Sequence, residues 1–187
     1  MPLYSVAISP PESILDEVKS LKLRLQETVS RRYPSVNSLA HITFCLFHGN
    51  EPTLNRWEEY LQLFCAQMDS FPCRLDRTGS FWNGAFFLAP DEASRTRLIH
   101  IMKEFHKAAP KFAFGKSTNP HMSIGRQLSA EEVAIARTII PSVDLSFLCD
   151  NLVIRKFNEA IKQYELYKRY YFRDATALSA AGFINAQ

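Results

Sequence analysis

His41-Ile42-Thr43-Phe44 and His121-Met122-Ser123-Ile124 share one pattern: an imidazole, an apolar residue, a hydroxyl and a second apolar residue. In an extended chain residues i and i+2 lie on one face about 6.6 Å apart. Each tetrapeptide therefore sets a histidine beside a hydroxyl and turns its apolar pair the other way. Both read as short strands with a polar face and a buried backing. Placed side by side at the centre of a sheet, they bring two imidazoles and two hydroxyls into one cleft.

Around each motif the chain repeats a similar plan. Leu3 to Ile8 reads as a strand stopped by Pro10-Pro11, and Glu12 to Arg31 carries Ile14, Val18, Leu21 and Leu25 at helical spacing. The motif strand His41 to Phe47 follows, then a helix from about Leu54 to Met68 with Trp57, Leu61, Phe64 and Cys65 on one face. Phe71 to Phe81 and Ala85 to Ala89 flank Asn83-Gly84, which reads as a tight hairpin because both residues accept positive φ. The second half opens with a helix from Asp91 to Ala108, closed by Pro110, and reaches the second motif strand, His121 to Gly125. Ser129-Ala130-Glu131-Glu132 is a capping-box start for a helix ending near Ile140. Leu145 to Phe157 and Tyr164 to Phe172 then read as a hairpin. The two histidine strands start 80 residues apart in halves of similar outline, which suggests a duplicated topology without a residue-level repeat.

Composition narrows the class. With 187 residues, 47% of them hydrophobic and 22% charged, the chain can bury a full core. The 16 glycines and prolines exclude collagen-like and low-complexity architectures, and the 12% aromatic content argues against disorder. No apolar run approaches the roughly 18 residues of a membrane span, and the start lacks a basic region, so the expectation is a cytoplasmic protein without a signal peptide. Cys45, Cys65, Cys73 and Cys149 form no C-x-x-C pair and read as buried thiols. A net charge of +3 tolerates an anionic partner without demanding one. The expected organisation is one domain over residues 1–174 with two similar lobes, followed by an Ala-rich, mobile or loosely docked tail over 175–187.

Paired imidazoles suit in-line displacement at phosphorus. One, neutral, takes the proton of the attacking oxygen, and the other, protonated, gives a proton to the leaving oxygen. An unperturbed pKa near 6.5 makes both forms available around neutral pH. The hydroxyls of Thr43 and Ser123 can donate to the non-bridging phosphate oxygens. No carboxylate adjoins either histidine, and two histidines alone make a poor cation site, so neither metal nor other cofactor is expected.

The chain resembles the 2H phosphoesterase superfamily, which includes 2'-5' RNA ligase-like proteins and RNA 2',3'-cyclic phosphodiesterases. That family is defined by two H-h-[S/T]-h motifs, h being apolar, and both stand here as His41 to Phe44 and His121 to Ile124. The resemblance implies a bilobal α+β fold with pseudo-two-fold symmetry: two small, mostly antiparallel sheets with outer helices around a central cleft. It further implies metal-independent phosphodiester chemistry on RNA ends or related nucleotides, with His41 and His121 as the acid/base pair and Thr43 and Ser123 as phosphate ligands. Arg126 matches a basic residue often found after the second motif in ligase-like members. The first motif runs on as Cys45-Leu46-Phe47-His48, with no matching arginine.

The expected reaction is the opening of a 2',3'-cyclic phosphate, with 2'-5' ligation as its reverse, by a monomer that needs no membrane and no obligate protein partner. The rival from another class is a non-catalytic RNA- or nucleotide-binding module with the same cleft. A third reading changes only the substrate, to small cyclic nucleotides or ADP-ribose cyclic phosphates. Gly115-Lys116-Ser117 resembles the end of a phosphate-binding loop, but Pro110 stands where that loop needs glycine. Phe114 and Lys116 remain candidates for stacking on a base and approaching phosphate at the cleft entrance. Arg155 to Arg173 interleaves six cations with six aromatics, a pattern shared by single-strand RNA tracks and by charge-protected edge hairpins. His48, His100 and His106 lack a hydroxyl partner and are given no catalytic role.

Overall fold

The computed structural model describes residues 1–174, so the expected tail lies outside the described residues. Its elements in chain order are β1 (Leu3–Ile8), α1 (Glu12–Val29), β2 (Ile42–His48), α2 (Glu51–Cys65), β3 (Phe71–Ser80) and β4 (Phe86–Pro90). They continue with α3 (Glu92–Ala108), β5 (Met122–Gly125), α4 (Ala130–Ile139), β6 (Leu145–Cys149), β7 (Asn151–Asn158) and β8 (Gln163–Tyr171).

Local chemistry sets the helix starts. Asn50 caps α2 by accepting from the Thr53 amide, with Pro52 tolerated in the first turn where no intrahelical N–H is needed. Asp91 caps α3 through the Ser94 amide. Ser129 and Glu132 form both bonds of the expected capping box on α4.

All strand pairs are antiparallel and join into one eight-stranded sheet in the order β6-β3-β4-β5-β2-β1-β7-β8. This corrects the expectation of two small sheets: β5 and β2 meet at the centre through Ile42 and Met122 and fuse the halves. The expected single strand from Leu145 to Phe157 is also corrected. It breaks at Asp150 into β6, which pairs with β3 at one end of the sheet, and β7, which pairs with β1 and β8 at the other. One residue cannot span a flat eight-stranded sheet, because consecutive Cα atoms are only about 3.8 Å apart. The sheet is therefore curled, its two ends brought together at Asp150. The hairpin read from the second half thus belongs beside β1, in the half that contains the first motif.

One face of the sheet packs against α2 and α3 through Phe44, Phe47, Trp57, Tyr60 and Phe105, with Phe47 stacked on Trp57 at 4.4 Å between ring centroids. Helices α1 and α4 pack together, with α1 lying along β5. Gly84 closes the β3–β4 loop at φ +77°, while Asn83 stays at negative φ and accepts from the Ala85 amide, so the connection is wider than the two-residue turn expected. A Cβ on Gly84 would stand 2.2 Å from the Leu128 carbonyl oxygen. All four cysteines are buried free thiols.

Candidate active site

Both motif strands are built alike. Ile42, Phe44 and Cys45 are buried while His41 and Thr43 are half-buried, and Met122, Ile124, Gly125, His121 and Ser123 repeat that order. The strands begin at Ile42 and Met122, one residue later than expected, so each histidine stands at a strand mouth. Pairing of Ile42 with Met122 puts His41 opposite Ser123 and Thr43 opposite His121 in the antiparallel register. Directly opposed side chains have Cβ atoms about 5 Å apart. The four groups therefore form a compact cross-strand square at the seam between the halves.

A second symmetry concerns irregularity. The β1–β2 register skips Phe44, passing from Val6–Cys45 to Ala7–Thr43, and the β4–β5 register skips Ile124 between Phe86–Gly125 and Phe87–Ser123. Each motif strand thus carries an extra residue at the apolar position after its hydroxyl. Such bulges bend a strand and re-aim neighbouring side chains.

The ring orientations match as well. His41 Nδ1 donates to the carbonyl of Leu39 at 2.7 Å, and His121 Nδ1 donates to the carbonyl of Asn119 at 2.8 Å. A carbonyl can only accept, so Nδ1 carries the proton in both rings and Nε2 remains for chemistry.

Their surroundings differ. His121 lies against Phe81 at 5.1 Å and Phe87 at 5.0 Å. Burial lowers its pKa, opposed by the Asn119 bond and aided by the charge of Arg126. His41 is held well below the usual histidine range by burial first and then by Arg155, with Lys22 and His121 adding to the effect against the Leu39 bond. The charges of Arg155 on β7 and Lys22 on α1 act on His41, an influence that sequence reasoning missed. Arg155 sits inside a charge run that a protected sheet edge explains equally well, whereas Lys22 stands four residues after Val18 and three before Leu25, on the buried stripe of α1, a signal the sequence reading passed over.

The remaining candidates are spread more widely. Arg126 is exposed just beyond β5, and its charge acts on both His121 and Tyr164. Phe114 bridges to Leu46 and stacks on His48 at 5.3 Å, farther along β2 from His41 than the expected cleft entrance. Lys116 is exposed in the same loop. Three of the six cations of the C-terminal segment are compensated among the described residues: Lys168, with Tyr167, bonds Glu58, Lys162 bonds Glu159, and Arg173 pairs with Asp69. Strand β8 is a sheet edge on which Lys168 is ion-paired and Arg169 lies over the Tyr171 ring. His106 is half-buried, its Nε2 donating to the Ser117 carbonyl at 2.8 Å. Among the described residues no three His, Cys, Asp or Glu side chains cluster as metal ligands, and no helix is long and apolar enough to cross a membrane.

Comparison with known proteins supplies a frame for this geometry. Residues 10–160 match the family model described as the 2'-5' RNA ligase superfamily. A search of curated proteins finds no match. Solved structures resemble the fold at low identity. TT0787 of Thermus thermophilus is 17% identical with a TM-score of 0.65, over 92% of this chain and 98% of that one. Escherichia coli LigT complexed with 3'-AMP is 16% identical with a TM-score of 0.63, over 91% and 98%. Kluyveromyces marxianus Usb1 is 17% identical with a TM-score of 0.53, over 81% and 92%.

Proposed function

Because this chain belongs to the 2'-5' RNA ligase superfamily, matched over residues 10–160, we propose that it is a phosphodiesterase that opens 2',3'-cyclic phosphates on RNA ends or related nucleotides. The observation that carries this reading is the pair of rings with Nδ1 tied to a backbone carbonyl and Nε2 left over, each beside a hydroxyl in one cross-strand square. The ligand of one structural neighbour, 3'-AMP on LigT, is the kind of phosphomonoester such a reaction leaves.

The roles divide by environment. His41, pressed by burial and by Arg155 and Lys22, is the ring better kept neutral, and it serves as general base. Its Nε2 takes a proton from water as the water oxygen bonds to phosphorus. The bond from phosphorus to one ribose oxygen breaks, and Nε2–H of His121 supplies the proton that leaving oxygen needs. Thr43 and Ser123 donate to the non-bridging oxygens, and Arg126 offsets the charge that develops there. With the 5'-hydroxyl of a second ribose in place of water as nucleophile, the same steps join its oxygen to phosphorus, break the bond to the 3'-oxygen and leave a 2'-5' linkage; the reverse of those steps cleaves it. No step calls for a metal or cofactor.

The test is turnover of cyclic-phosphate-ended RNA and of 2',3'-cyclic mononucleotides in excess EDTA. Wild-type protein hydrolyses at least one of them, while His41→Ala and His121→Ala each lower the rate by at least about a hundredfold and stay folded. Binding without turnover in the wild type makes the protein a nucleotide-binding module. Loss of turnover on chelation, restored by a divalent ion, replaces the two-histidine scheme with metal-assisted hydrolysis.

A further inference from the structure

The most exposed large apolar side chain among the described residues stands one position from a ring that touches His121. Trp82 is 99% exposed, on the loop between β3 and β4, and its chain neighbour Phe81 meets His121 edge-on at 5.1 Å between ring centres. The loop is held on both sides. The Phe81 amide donates to the Ala85 carbonyl at 2.8 Å, the Gly84 amide to the Phe81 carbonyl at 3.1 Å, and the Leu128 amide to the Gly84 carbonyl at 3.0 Å. Trp82 is thus carried on a fixed turn, which lowers the cost of ordering a contact there.

Phe81 and Trp82 line a groove of about 390 Å³ together with Leu128 and with Val133, Ala134 and Arg137 of α4. That is the size of a small-molecule site. No acidic side chain lines it, and Arg137 enters no ion pair among the described residues, its guanidinium donating to the Ser80 hydroxyl at 2.8 Å. Aromatic rings beside an uncommitted cation suit a base and its phosphate. The groove on the His41 side differs: Leu39, Ile161 and Leu166 are aliphatic, Glu165 brings a negative charge, and the Tyr164 ring already has Arg155 over it at 5.2 Å.

The chemistry separates the two sides as well. At phosphorus the entering and leaving oxygens lie in line, so with His41 on the water and His121 on the leaving oxygen, the ribose and its base fall on the His121 side. We propose that the groove of Phe81, Trp82 and Arg137 takes the nucleobase of the terminal nucleotide, stacked on the Trp82 ring. The inference rests on the cleft being a nucleotide-phosphate site and on the roles given above to the two histidines. It also fixes how the base is read. The lining side chains offer no hydrogen-bond acceptor, so exocyclic amino groups go unread, and the groove holds a base by its face and tolerates purine and pyrimidine alike.

Tryptophan fluorescence reads the contact directly, because the other tryptophan, Trp57, is fully buried. In the wild type 3'-AMP and 3'-UMP should quench the emission and shield it from acrylamide, with dissociation constants within about fivefold of each other, while inorganic phosphate competes with both and does neither. Trp82→Ala, at a fully exposed position, should fold like the wild type and abolish the quench. By calorimetry it should weaken both nucleotides at least about fivefold, the low end for a base that loses its aromatic partner, and change phosphate affinity less than about twofold. Trp82→Phe should recover most of that loss. Nucleotide affinity or a quench that survives Trp82→Ala, or a preference above about tenfold for one nucleotide, overturns the proposal. So does an equal loss for phosphate, which assigns Trp82 a structural role. Base-dependent binding without hydrolysis of any cyclic phosphate keeps the groove and removes only the hydrolytic reading, whereas turnover with nucleotide binding indifferent to Trp82 removes the groove and keeps the hydrolysis. Failure of phosphate and both nucleotides to bind overturns both.

Discussion

At the scale of single residues, two histidines with the same backbone anchor differ in the charges around them, and that difference has a consequence in pH. Both are shifted below the ordinary value of 6.5, His41 more strongly. The free enzyme is active with one ring neutral and one protonated, so kcat/KM should trace a bell whose limbs belong to the coupled pair. Lowered values move the whole bell to the acid side: activity falls at low pH as the base is protonated, and it falls again as pH rises past the acid's depressed value. Both limbs are therefore expected below about 6.5. Thr43→Ala and Ser123→Ala should reduce the height of the bell and keep both limbs. A kcat/KM profile that still rises between pH 7 and pH 9 shows that no protonated histidine is required.

Elements meet at two loops where small changes should have large effects. Gly84 closes the β3–β4 connection in the left-handed region with Leu128 pressed against it, so Gly84→Ala must both strain the backbone and displace the Leu128 carbonyl. A loss of roughly 2 to 4 kcal/mol in urea unfolding is expected, and a change under about 0.5 kcal/mol shows that the loop yields freely. The start of α4 is tied to the end of α1 by Arg31, which bonds Glu132 and donates to the Gln127 carbonyl at 2.8 Å. The Arg31 bond first, and the Ser129 amide next, lower the Glu132 carboxyl to about 2. A depressed acid contributes stability that is fully present above its unfolded value near 4.3 and is lost as pH falls toward 2. Glu132→Gln should therefore melt below the wild type at pH 7, and the two melting temperatures should converge between pH 4 and pH 2. A gap that stays constant over that range would show that the ion pair does not stabilise the helix junction.

At the scale of the whole molecule, one sheet joins the two halves of the chain. Strand β1 lies between β2 and β7, and β2 finds β5 on its other side, so the first half of the chain lacks two of the strands its own sheet needs. A fragment ending at Pro90 would expose both edges of the β1–β2 pair and leave Val6, Ile8 and Ile42 without their cover. Circular dichroism of residues 1–90 should show no cooperative melting, while residues 1–174 should unfold in one transition. A cooperatively folded 1–90 fragment would show that the first half of the chain folds without β5 and β7.

Each histidine–hydroxyl pair was legible in the chain because its information is local, whereas the square they form depends on the pairing of Ile42 with Met122. Alternation at i and i+2 puts His41 with Thr43 and His121 with Ser123 whatever the strands pair with, and the Ser129–Glu132 cap forms within one turn of helix. The polar pair Asp150-Asn151 interrupts the apolar run from Leu145 to Phe157, but the sequence reading passed over it, and that the two pieces go to β3 and to β1 was not legible because those edges lie far off in the chain. The fate of Arg155 was not legible either: it reads as one more cation of the hairpin and is buried where Tyr164 of β8 lies against it. Periodicity specifies which face a side chain takes. What that face meets depends on strand order, and strand order is decided by contacts between residues more than a hundred positions apart, such as Ser5 with Arg155.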